Sequence, residues 1–409
     1  MKIAIIGAGA AGLASLRHGL KQGHDCTAFE QTGNIGGTWN YTDLVNVDEN
    51  GLPVHSSMYQ GLKTNLPKEL MEYDDFPYEE RGKSFIAQPE VLDYMKKFAN
   101  HFNLYSHIKF LTQVTEVDPL PDNKWKIKEK NLKTKVVTEH IFDAVMVCVG
   151  NYSVPKIPKI EGSEKFIGKI IHSHHYRKPD GYKGKKVLVI GAGPSGIDIS
   201  RIVGKVAEKV YISYGSTFFF KTEDYVIHKP LVKSLTAHSA IFENGTEEAI
   251  DSIIYCTGYV YSYPFLTDRC GIKIENNWVQ YVYKHIVNVE HPSMGFIGVT
   301  FKVCPFPTFD IQVRFFLEFI KNIRRLTKEQ MMADIMNDVA KRKAQAMPAH
   351  HVHKIGHSLH RIYFDDLADT VKIPRARPVI HNLYEHLANN RTVDKRYKII
   401  NDEEFQEVV

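Results

Sequence analysis

Residues 3–12 read Ile-Ala-Ile-Ile-Gly-Ala-Gly-Ala-Ala-Gly, and this stretch decides the fold. Four apolar residues predict a short buried strand, and a helical pattern follows over residues 10–22. In a Gly-x-Gly-x-x-Gly turn the first glycine makes the tight turn, the second admits a pyrophosphate and the third lets helix pack on strand. The stretch therefore predicts a dinucleotide-binding unit whose phosphate contacts come from Gly7, Gly9, Ala10, Ala11 and Gly12.

An acidic residue stands where such a unit needs one. The next predicted strand covers residues 26–30 and ends at Glu30, which Gln31 follows. An acid at this distance from the glycine turn binds the hydroxyl groups of the adenosine ribose. We expect Glu30 and Gln31 to contact the nucleotide; the alternative for Glu30 is an exposed acid at a strand end.

A second fingerprint lies in the middle of the chain. Residues 187–196 read Val-Leu-Val-Ile-Gly-Ala-Gly-Pro-Ser-Gly, again between a predicted strand and a predicted helix over 195–203. The residues expected at the second pyrophosphate are Gly191, Gly193, Pro194, Ser195, Gly196, Ile197 and Asp198. Two nucleotides bound by one chain indicate hydride transfer between a flavin and a nicotinamide.

The end of the strand at 209–214 bears on which nicotinamide dinucleotide is bound. No acid stands there, which favours NADPH over NADH. Contacts to the 2′-phosphate are expected from Ser216 and Thr217, with Lys221 as a further candidate.

Composition excludes several classes of protein. The chain has 409 residues, 43% of them hydrophobic and 24% charged, which is ordinary for a globular protein of two or three domains. A net charge of +5 without a run of Lys and Arg argues against nucleic-acid binding. No segment approaches the ~20 apolar residues of a membrane span, so we expect a soluble protein.

The cysteines argue against a disulfide framework. Five cysteines are scattered along the chain and none forms a Cys-x-x-Cys motif. The first predicted strand begins at Lys2, so a signal peptide is not expected and a cytoplasmic location is favoured. Secretion is the alternative if a signal peptide has been removed, since four Asn-x-Ser/Thr sequons are present.

Motifs along most of the chain resemble the flavin-containing monooxygenase family, the class B flavin monooxygenases. Residues 166–177 fit its Phe-x-Gly-x-x-x-His-x-x-x-Tyr signature through Phe166, Gly168, His172 and Tyr176. Further matches are Gly36-Gly37-Thr38-Trp39, Thr64-Asn65-Leu66-Pro67-Lys68-Glu69, Asp75-Phe76-Pro77, Cys256-Thr257-Gly258-Tyr259, Tyr283-Lys284-His285-Ile286, His291-Pro292, Phe296-Ile297-Gly298 and Gln312-x-Arg314. The short form resembles the insect-type soluble branch.

The resemblance implies an α/β fold with two Rossmann-like dinucleotide-binding domains, like that of glutathione reductase. Residues 1–155 and 263–409 would form a discontinuous FAD-binding domain, and residues 156–262 an NADP-binding domain. NADPH would reduce FAD, and an FAD C4a-hydroperoxide would oxidise a small-molecule substrate with O2. Some members of the insect branch N-oxygenate pyrrolizidine alkaloids such as senecionine, so a tertiary amine is the expected substrate. A homo-oligomer is also expected.

The resemblance also assigns site residues. Asn65 is the expected catalytic residue, since an amide both donates and accepts hydrogen bonds beside the flavin. Further flavin contacts are implied for Gly37, Thr38, Trp39, Thr64, Val114 and Gln312. Structural alternatives are a loop cap for Asn65, a core tryptophan at Trp39 and a polar helix face for Gln312. Many relatives carry an arginine near the second strand end, and Gly215 or Ser216 stands there instead.

Other functions remain as alternatives. One is S-oxygenation of thioethers, and another is an FAD- and NAD(P)H-dependent reductase without oxygen transfer. A Baeyer–Villiger enzyme is disfavoured because Tyr176 stands where its signature has tryptophan, and a non-catalytic nucleotide-binding protein is disfavoured by Asn65. No functional metal is expected from the histidines at 172–175 and 350–360: adjacent residues on a strand point to opposite faces, and no His-Glu-x-x-His is present.

Overall fold

The computed structural model describes residues 1–215, 222–322, 326–390 and 395–408. In these ranges the α-helices are α1 Ala10–Lys21, α2 Gln88–His101, α3 Pro194–Gly204, α4 Pro305–Lys321, α5 Lys328–Ala344, α6 His357–Val371 and α7 Pro378–Asn390. The strands of the first half are β1 Lys2–Ile6, β2 Asp25–Phe29, β3 Ile108–Lys109, β4 Thr112–Leu120, β5 Lys124–Asn131, β6 Val137–Phe142, β7 Ala144–Val147, β8 Val154–Pro155, β9 Lys169–His172 and β10 Lys186–Ile190. Those that follow are β11 Lys209–Ser213, β12 Val226–Lys229, β13 Val232–Leu235, β14 Ser239–Phe242, β15 Glu247–Ala249, β16 Ser252–Tyr255, β17 Tyr259–Val260, β18 Lys273–Glu275, β19 Trp278–Gln280, β20 Val282–Tyr283, β21 Val287–Asn288, β22 Met294–Phe296, β23 Arg396–Ile399 and β24 Phe405–Val408.

The chain divides into two compact units. The first contains Met1–Asn40, Lys63–Asn151 and Tyr261–Val409, and the second contains Tyr41–Leu62 and Tyr152–Val260. The predicted boundaries at 155/156 and 262/263 are close to this division. The prediction is wrong for residues 41–62, which were placed in the first domain and pack instead within the second unit.

The first unit is built on a mixed sheet with a parallel centre. Its strand order is β20-β21-β22-β7-β1-β2-β3, and β1 pairs in parallel with both β2 and β7. Ile3, Ala4 and Ile5 on β1 are fully buried, as expected for a central parallel strand covered on both faces. An antiparallel meander of β4, β5 and β6 follows α2.

Helix α1 is buried on most of its surface and packs against α4. Its buried positions include Leu13, Ala14 and Leu16, which join the main hydrophobic core of this unit. Each fully buried leucine contributes about 1.5–3 kcal/mol relative to an exposed one. This packing holds the start of α1 at the carboxyl end of β1.

The second unit repeats the arrangement with a fully parallel sheet. Its strand order is β12-β11-β10-β16-β9, and β10, which precedes the second fingerprint, lies between β11 and β16. Val187, Leu188 and Val189 are fully buried on β10. A three-stranded antiparallel sheet of β13, β14 and β15 completes the unit.

Residues 41–62 are held in the second unit by a buried arginine. The guanidinium of Arg177 donates to the carbonyl oxygens of Thr42 and Leu44 at 2.7 and 2.8 Å and of Ser56 at 3.1 Å. It also donates to the carbonyls of two residues of its own segment, His174 and Tyr176. Burial lowers the pKa of Arg177, because removal from water disfavours the charged guanidinium. The five carbonyl oxygens around it offset part of that cost. Local sequence patterns carry no sign of such a contact.

Two further structural facts bear on function. Among the described residues, no helix combines the length and apolar composition that crossing a lipid bilayer requires. All five cysteines are buried and free of disulfide bonds. Burial raises the pKa of the Cys148 and Cys256 thiols to about 12, which makes both unreactive near neutral pH.

Candidate dinucleotide-binding sites

The first glycine turn adopts a geometry that requires glycine. Gly7 has φ +100°, and a Cβ there would lie 2.7 Å from the carbonyl oxygen of Cys148. A Cβ on Gly12 would lie 1.9 Å from the carbonyl oxygen of Gly7. The helix and the strand therefore approach as closely as the fingerprint predicts.

The space beyond this turn fits a pyrophosphate. In the described ranges, only Gly37 has atoms within 4 Å of a Cβ added to Gly9, the nearest being its Cα at 3.5 Å. Helix α1 begins without a side-chain cap and has no acidic residue in its first turn. The free N–H groups and the positive end of the helix dipole therefore point toward the position that an anion would take.

Glu30 is buried at the carboxyl end of β2. One carboxylate oxygen accepts the backbone N–H of Ala8 at 2.9 Å, and the other accepts the N–H and hydroxyl of Thr32 at 2.8 and 2.9 Å. Burial raises the pKa of Glu30, and these hydrogen bonds oppose the rise. The carboxylate is thus fixed beside the fingerprint, with lone pairs left for ribose hydroxyls, and the alternative of an exposed strand-end acid is excluded. Gln31 follows it and is half-buried.

The loop with Gly37, Thr38 and Trp39 is tied to the fingerprint. Its backbone begins with a hydrogen bond from the N–H of Gly36 to the carbonyl of Ala8 at 3.0 Å. The three residues then form a short 3-10 helix in which each is half-buried. The side-chain amide of Gln88 on α2 donates to the carbonyl of Trp39, a contact that sequence analysis missed. The loop therefore presents a fixed, partly exposed surface next to Gly9.

Asn65 is exposed, whereas its neighbour Thr64 is buried. The backbone N–H of Thr64 donates to the carbonyl of Ile86 at 2.8 Å, and the N–H of Ile86 donates to the Thr64 hydroxyl at 3.1 Å. This reciprocal pair fixes the backbone from which the Asn65 amide projects. Thr64 thus positions its neighbour.

Two residues implied by the resemblance lie in the interior. Val114 packs in a hydrophobic cluster behind β1. Gln312 is 0% exposed: its amide oxygen accepts the N–H of Gly298, and its amide nitrogen donates to Thr300 and Tyr363. The prediction that the Gln312 side chain contacts the flavin is therefore wrong for this structure. Its hydrogen bonds are made inside the protein, where it holds the segment after β22 against α4.

The second glycine turn repeats the first. Gly191 has φ +108°, with an added Cβ 2.5 Å from the carbonyl of Cys256, and a Cβ on Gly196 would lie 1.9 Å from the carbonyl of Gly191. Among the described residues, no atom lies within 4 Å of a Cβ added to Gly193. Helix α3 starts at Pro194, again with no side-chain cap and no acid in its first turn. This turn also fits a pyrophosphate, with Ser195 and Ile197 half-buried beside it.

Asp198 on α3 has a partner that the sequence did not indicate. The hydroxyl of Tyr59 donates to its carboxylate at 2.5 Å. Burial raises the pKa of Tyr59, and the carboxylate adds to the rise. The Asp198 carboxylate is thereby held, which limits its repulsion of a bound phosphate.

The structure describes only part of the region that was predicted to bind the 2′-phosphate. Ser216, Thr217 and Lys221 lie outside the described residues. Tyr214 directly follows β11, as Glu30 directly follows β2, and each stands at the same spacing from the first glycine of its fingerprint. In each unit that first glycine donates its N–H to the last carbonyl of the second strand at 2.8 Å. Comparing the two fingerprints by spacing would have identified Tyr214.

The histidines do not assemble into a metal site. Among the residues that the structure describes, no group of three His, Cys, Asp or Glu side chains is placed to hold a metal ion. Nδ1 of His172 accepts the N–H of His174 at 3.1 Å, a local turn contact. His353 lies before α6 rather than one helical turn from His357, and its ring contacts His285.

The comparisons with known proteins agree with this geometry. The model of the flavin-binding monooxygenase-like family matches residues 1–222 and 221–389. Senecionine N-oxygenase of Tyria jacobaeae is 36% identical over 425 residues, covering 99% of this chain and 91% of that protein. The flavin-containing monooxygenase GS-OX5 of Arabidopsis thaliana is 36% identical over 377 residues, covering 87% of this chain and 82% of that protein. The structure of S-allyl-L-cysteine S-oxygenase from Allium sativum superimposes with a TM-score of 0.88 at 34% identity, covering 95% of this chain and 92% of that one.

Proposed function

The chain belongs to the family of flavin-binding monooxygenase-like proteins, and from this we propose that it is an NADPH- and O2-dependent monooxygenase that N-oxygenates tertiary amines, among them pyrrolizidine alkaloids such as senecionine. Its cofactors are FAD and NADPH. The first unit binds FAD, and the second binds the nicotinamide dinucleotide.

One observation carries this proposal: two glycine turns of the same geometry each open onto an uncapped helix N-terminus. The first is accompanied by a buried carboxylate on Glu30, which suits a ribose with both hydroxyls free. The second has Tyr214 in place of the acid, which suits a ribose that carries a phosphate. The difference supports FAD at the first turn and NADPH at the second.

The flavin, once bound and reduced, supplies the activation of O2, and this chain's residues supply placement. Glu30 fixes the ribose, the N-terminus of α1 binds the pyrophosphate, and the loop at Gly37–Trp39 supports the flavin end. Asn65 offers one amide oxygen and two N–H groups from a fixed backbone. The amide carries no charge, so it adds no repulsion beside the developing negative charge of activated oxygen.

The proposed substrate class is argued from the proteins to which this chain is similar. The match to senecionine N-oxygenase extends over nearly the whole chain, which supports an alkaloid-type tertiary amine. Oxygenation of a thioether sulfur is the second candidate, because the S-allyl-L-cysteine S-oxygenase shares 34% of its residues and the same fold. The amine nitrogen and the thioether sulfur are both soft nucleophiles, so the same oxygen transfer can oxidise either.

The proposal is tested with the purified full chain. We expect it to retain FAD and to oxidise NADPH in a manner stimulated by senecionine, with one N-oxide formed for each NADPH consumed. S-allyl-L-cysteine and a simple tertiary amine are compared in parallel, with products identified by mass spectrometry. Faster turnover of the thioether would favour the second candidate. Failure to bind FAD, or NADPH oxidation without oxygenated product from any of the three, would contradict monooxygenation.

A further inference from the structure

Two backbone hydrogen bonds join the stretch around Asn65 to one neighbouring segment of the first unit. The N–H of Thr64 donates to the carbonyl of Ile86 at 2.8 Å, and the N–H of Lys68 donates to the carbonyl of Ser84 at 2.7 Å. Asn65 therefore lies between two anchor points, and their partners are only two residues apart on the neighbouring segment. Any shift of that segment is passed to the backbone that carries the Asn65 amide.

The side chain of Lys68 fixes the loop that leads into this partner segment, residues 84–86. Lys68 is only 5% exposed, and its ammonium donates to the carbonyl oxygens of Glu79 and Arg81 at 2.6 Å each. Residues 79–83 are themselves exposed to solvent. A buried cation thus gives its hydrogen bonds to the backbone of a surface loop, and such charge-assisted bonds are stronger than neutral ones.

Ser84 anchors the partner segment from its other side. This residue is buried, and its hydroxyl donates to Oε1 of Glu69 at 3.1 Å and accepts the backbone N–H of Tyr397 at 2.7 Å. Glu69 directly follows Lys68, and Tyr397 lies on β23. The partner segment is therefore held by its own hydroxyl group and, through the preceding loop, by Lys68.

Packing alone does not account for a lysine at position 68. A buried cation is more costly than an apolar side chain of similar length, even when hydrogen bonds offset part of that cost. Placement near a reacting group has a narrow tolerance, because a displacement of about 1 Å can cost on the order of 100-fold in rate. The hydrogen bonds that Lys68 makes are of the kind that such placement requires.

We propose that Lys68 is a positioning residue for Asn65. Its hydrogen bonds to the loop at 79–83 hold residues 84–86, and these hold the backbone from which the Asn65 amide projects. The inference rests on the proposed function, since it concerns the amide placed beside the flavin in that reaction. Loss of the Lys68 ammonium should leave both glycine turns intact and disturb the oxygen transfer.

The test compares Lys68→Met with Lys68→Arg in the purified, FAD-loaded full chain, with senecionine and S-allyl-L-cysteine as alternative substrates. Methionine is of similar length and donates no hydrogen bond, whereas arginine keeps the charge and several N–H donors. We expect Lys68→Met to lower oxygenated product per NADPH at least about five-fold, with a matching rise in hydrogen peroxide, and Lys68→Arg to restore most of the coupling. Binding of FAD and NADP+ should stay at the wild-type level. Lys83→Met, which alters an exposed lysine of the same loop, is the matched control.

Hydrogen–deuterium exchange in the absence of NADPH measures the positioning apart from activity. We expect the amides of residues 64–68 and 84–86 to exchange about ten-fold faster in Lys68→Met than in the wild type, with β1 unchanged. Unchanged exchange in these residues would overturn the inference. So would a lower Tm with unchanged coupling, since that would assign Lys68 a purely structural role.

The double variant Asn65→Ala/Lys68→Met shows whether Lys68 acts through Asn65. Residues that act as a unit are not additive, so the double variant should be no less coupled than Asn65→Ala alone. A further fall in product per NADPH would overturn the inference.

Ser84→Ala releases the same segment by a smaller change and should uncouple the reaction in the same direction, which keeps the inference testable if Lys68→Met loses FAD. A coupled wild type beside equally coupled Lys68→Met and Ser84→Ala variants would overturn this inference alone. A wild type that forms no oxygenated product would overturn the proposed function, and this inference with it.

Discussion

At the scale of single residues, hydrogen bonds fix buried polar groups beside the exposed amide of Asn65. Thr64 is clamped to Ile86, and Glu30 is held by Ala8 and Thr32. Asn65 then projects from a backbone that is already ordered, so placing its amide costs less conformational entropy. The chemistry proposed for this site depends on that placement.

We expect Asn65→Ala and Asn65→Asp to uncouple the reaction while leaving FAD bound. The alanine removes the amide's donors and acceptor, and the aspartate puts a charge beside activated oxygen. NADPH oxidation should continue, hydrogen peroxide should rise, and N-oxide per NADPH should fall at least ten-fold. Oxygen uptake, peroxide and product are measured together. Asn100→Ala, an exposed asparagine on α2, serves as the control, and coupled turnover in both Asn65 variants would remove Asn65 from the site.

At the scale of elements, each glycine turn joins a buried strand to a helix through one close contact and one open face. The close contact is at Gly196, where a Cβ would meet the carbonyl of Gly191 at 1.9 Å. The open face is at Gly193, where an added Cβ meets no atom of the described part of the chain within 4 Å. Folding and nucleotide binding therefore depend on different glycines of the same turn.

Two alanine substitutions separate these functions. Gly196→Ala forces α3 away from β10 and is expected to cost about 1–3 kcal/mol or more, seen as a lower Tm. Gly193→Ala is expected to keep the Tm within ~1 °C and to weaken NADP+ binding, because its methyl group fills the space meant for the pyrophosphate. Thermal unfolding and calorimetry with NADP+ measure the two effects. A wild-type affinity in Gly193→Ala would show that the pyrophosphate binds elsewhere.

The segment 41–62 is a further element whose position depends on one side chain. Arg177→Lys keeps the charge but cannot satisfy five carbonyls with three N–H donors. Since each buried acceptor left unpaired costs about 1–3 kcal/mol, we expect residues 41–62 to open locally. Hydrogen–deuterium exchange should rise at least ten-fold in this segment and stay unchanged in β1. Arg81→Lys, an exposed arginine, is the control; unchanged exchange in 41–62 would mean that other contacts hold the segment.

At the scale of the whole molecule, buried neutral histidines link the fold to pH. His353 accepts the N–H of Val279 on Nε2, so its Nδ1 carries the proton toward His285 at 3.0 Å. His360 accepts the N–H of Cys304 and meets His381 in the same way at 3.0 Å. Burial lowers the pKa of His285 to about 3 and of His381 to about 4. Charging either pair would place a cation in the interior.

The folded protein should therefore lose stability as the pH falls. Histidine in an unfolded chain titrates near pH 6.5, so the stabilisation from these neutral rings is present above that value and is lost toward pH 4. Each such histidine contributes a slope of up to about 1.4 kcal/mol per pH unit. We expect His381→Gln to reduce the slope of unfolding free energy against pH by about that amount. Urea denaturation from pH 7 to 4.5 measures it, and His238→Gln, which alters an exposed ring, should leave the slope unchanged. An unchanged slope in His381→Gln would contradict the neutral, buried state.

The sequence by itself determined both nucleotide folds and the family, because a Gly-x-Gly-x-x-Gly turn between an apolar strand and a helix is a local pattern set by backbone sterics. It also located Glu30 at the end of the second strand. Only the tertiary structure decided that the Gln312 side chain makes its hydrogen bonds inside the protein and that Arg177 holds residues 41–62. It alone also showed that the His228 ring lies between the hydroxyls of Tyr214 and Thr222. The physical reason is that a strand, a helix and a glycine turn are specified by neighbours along the chain. The partner of a buried polar group is chosen among residues far apart in sequence, and no periodicity records that choice.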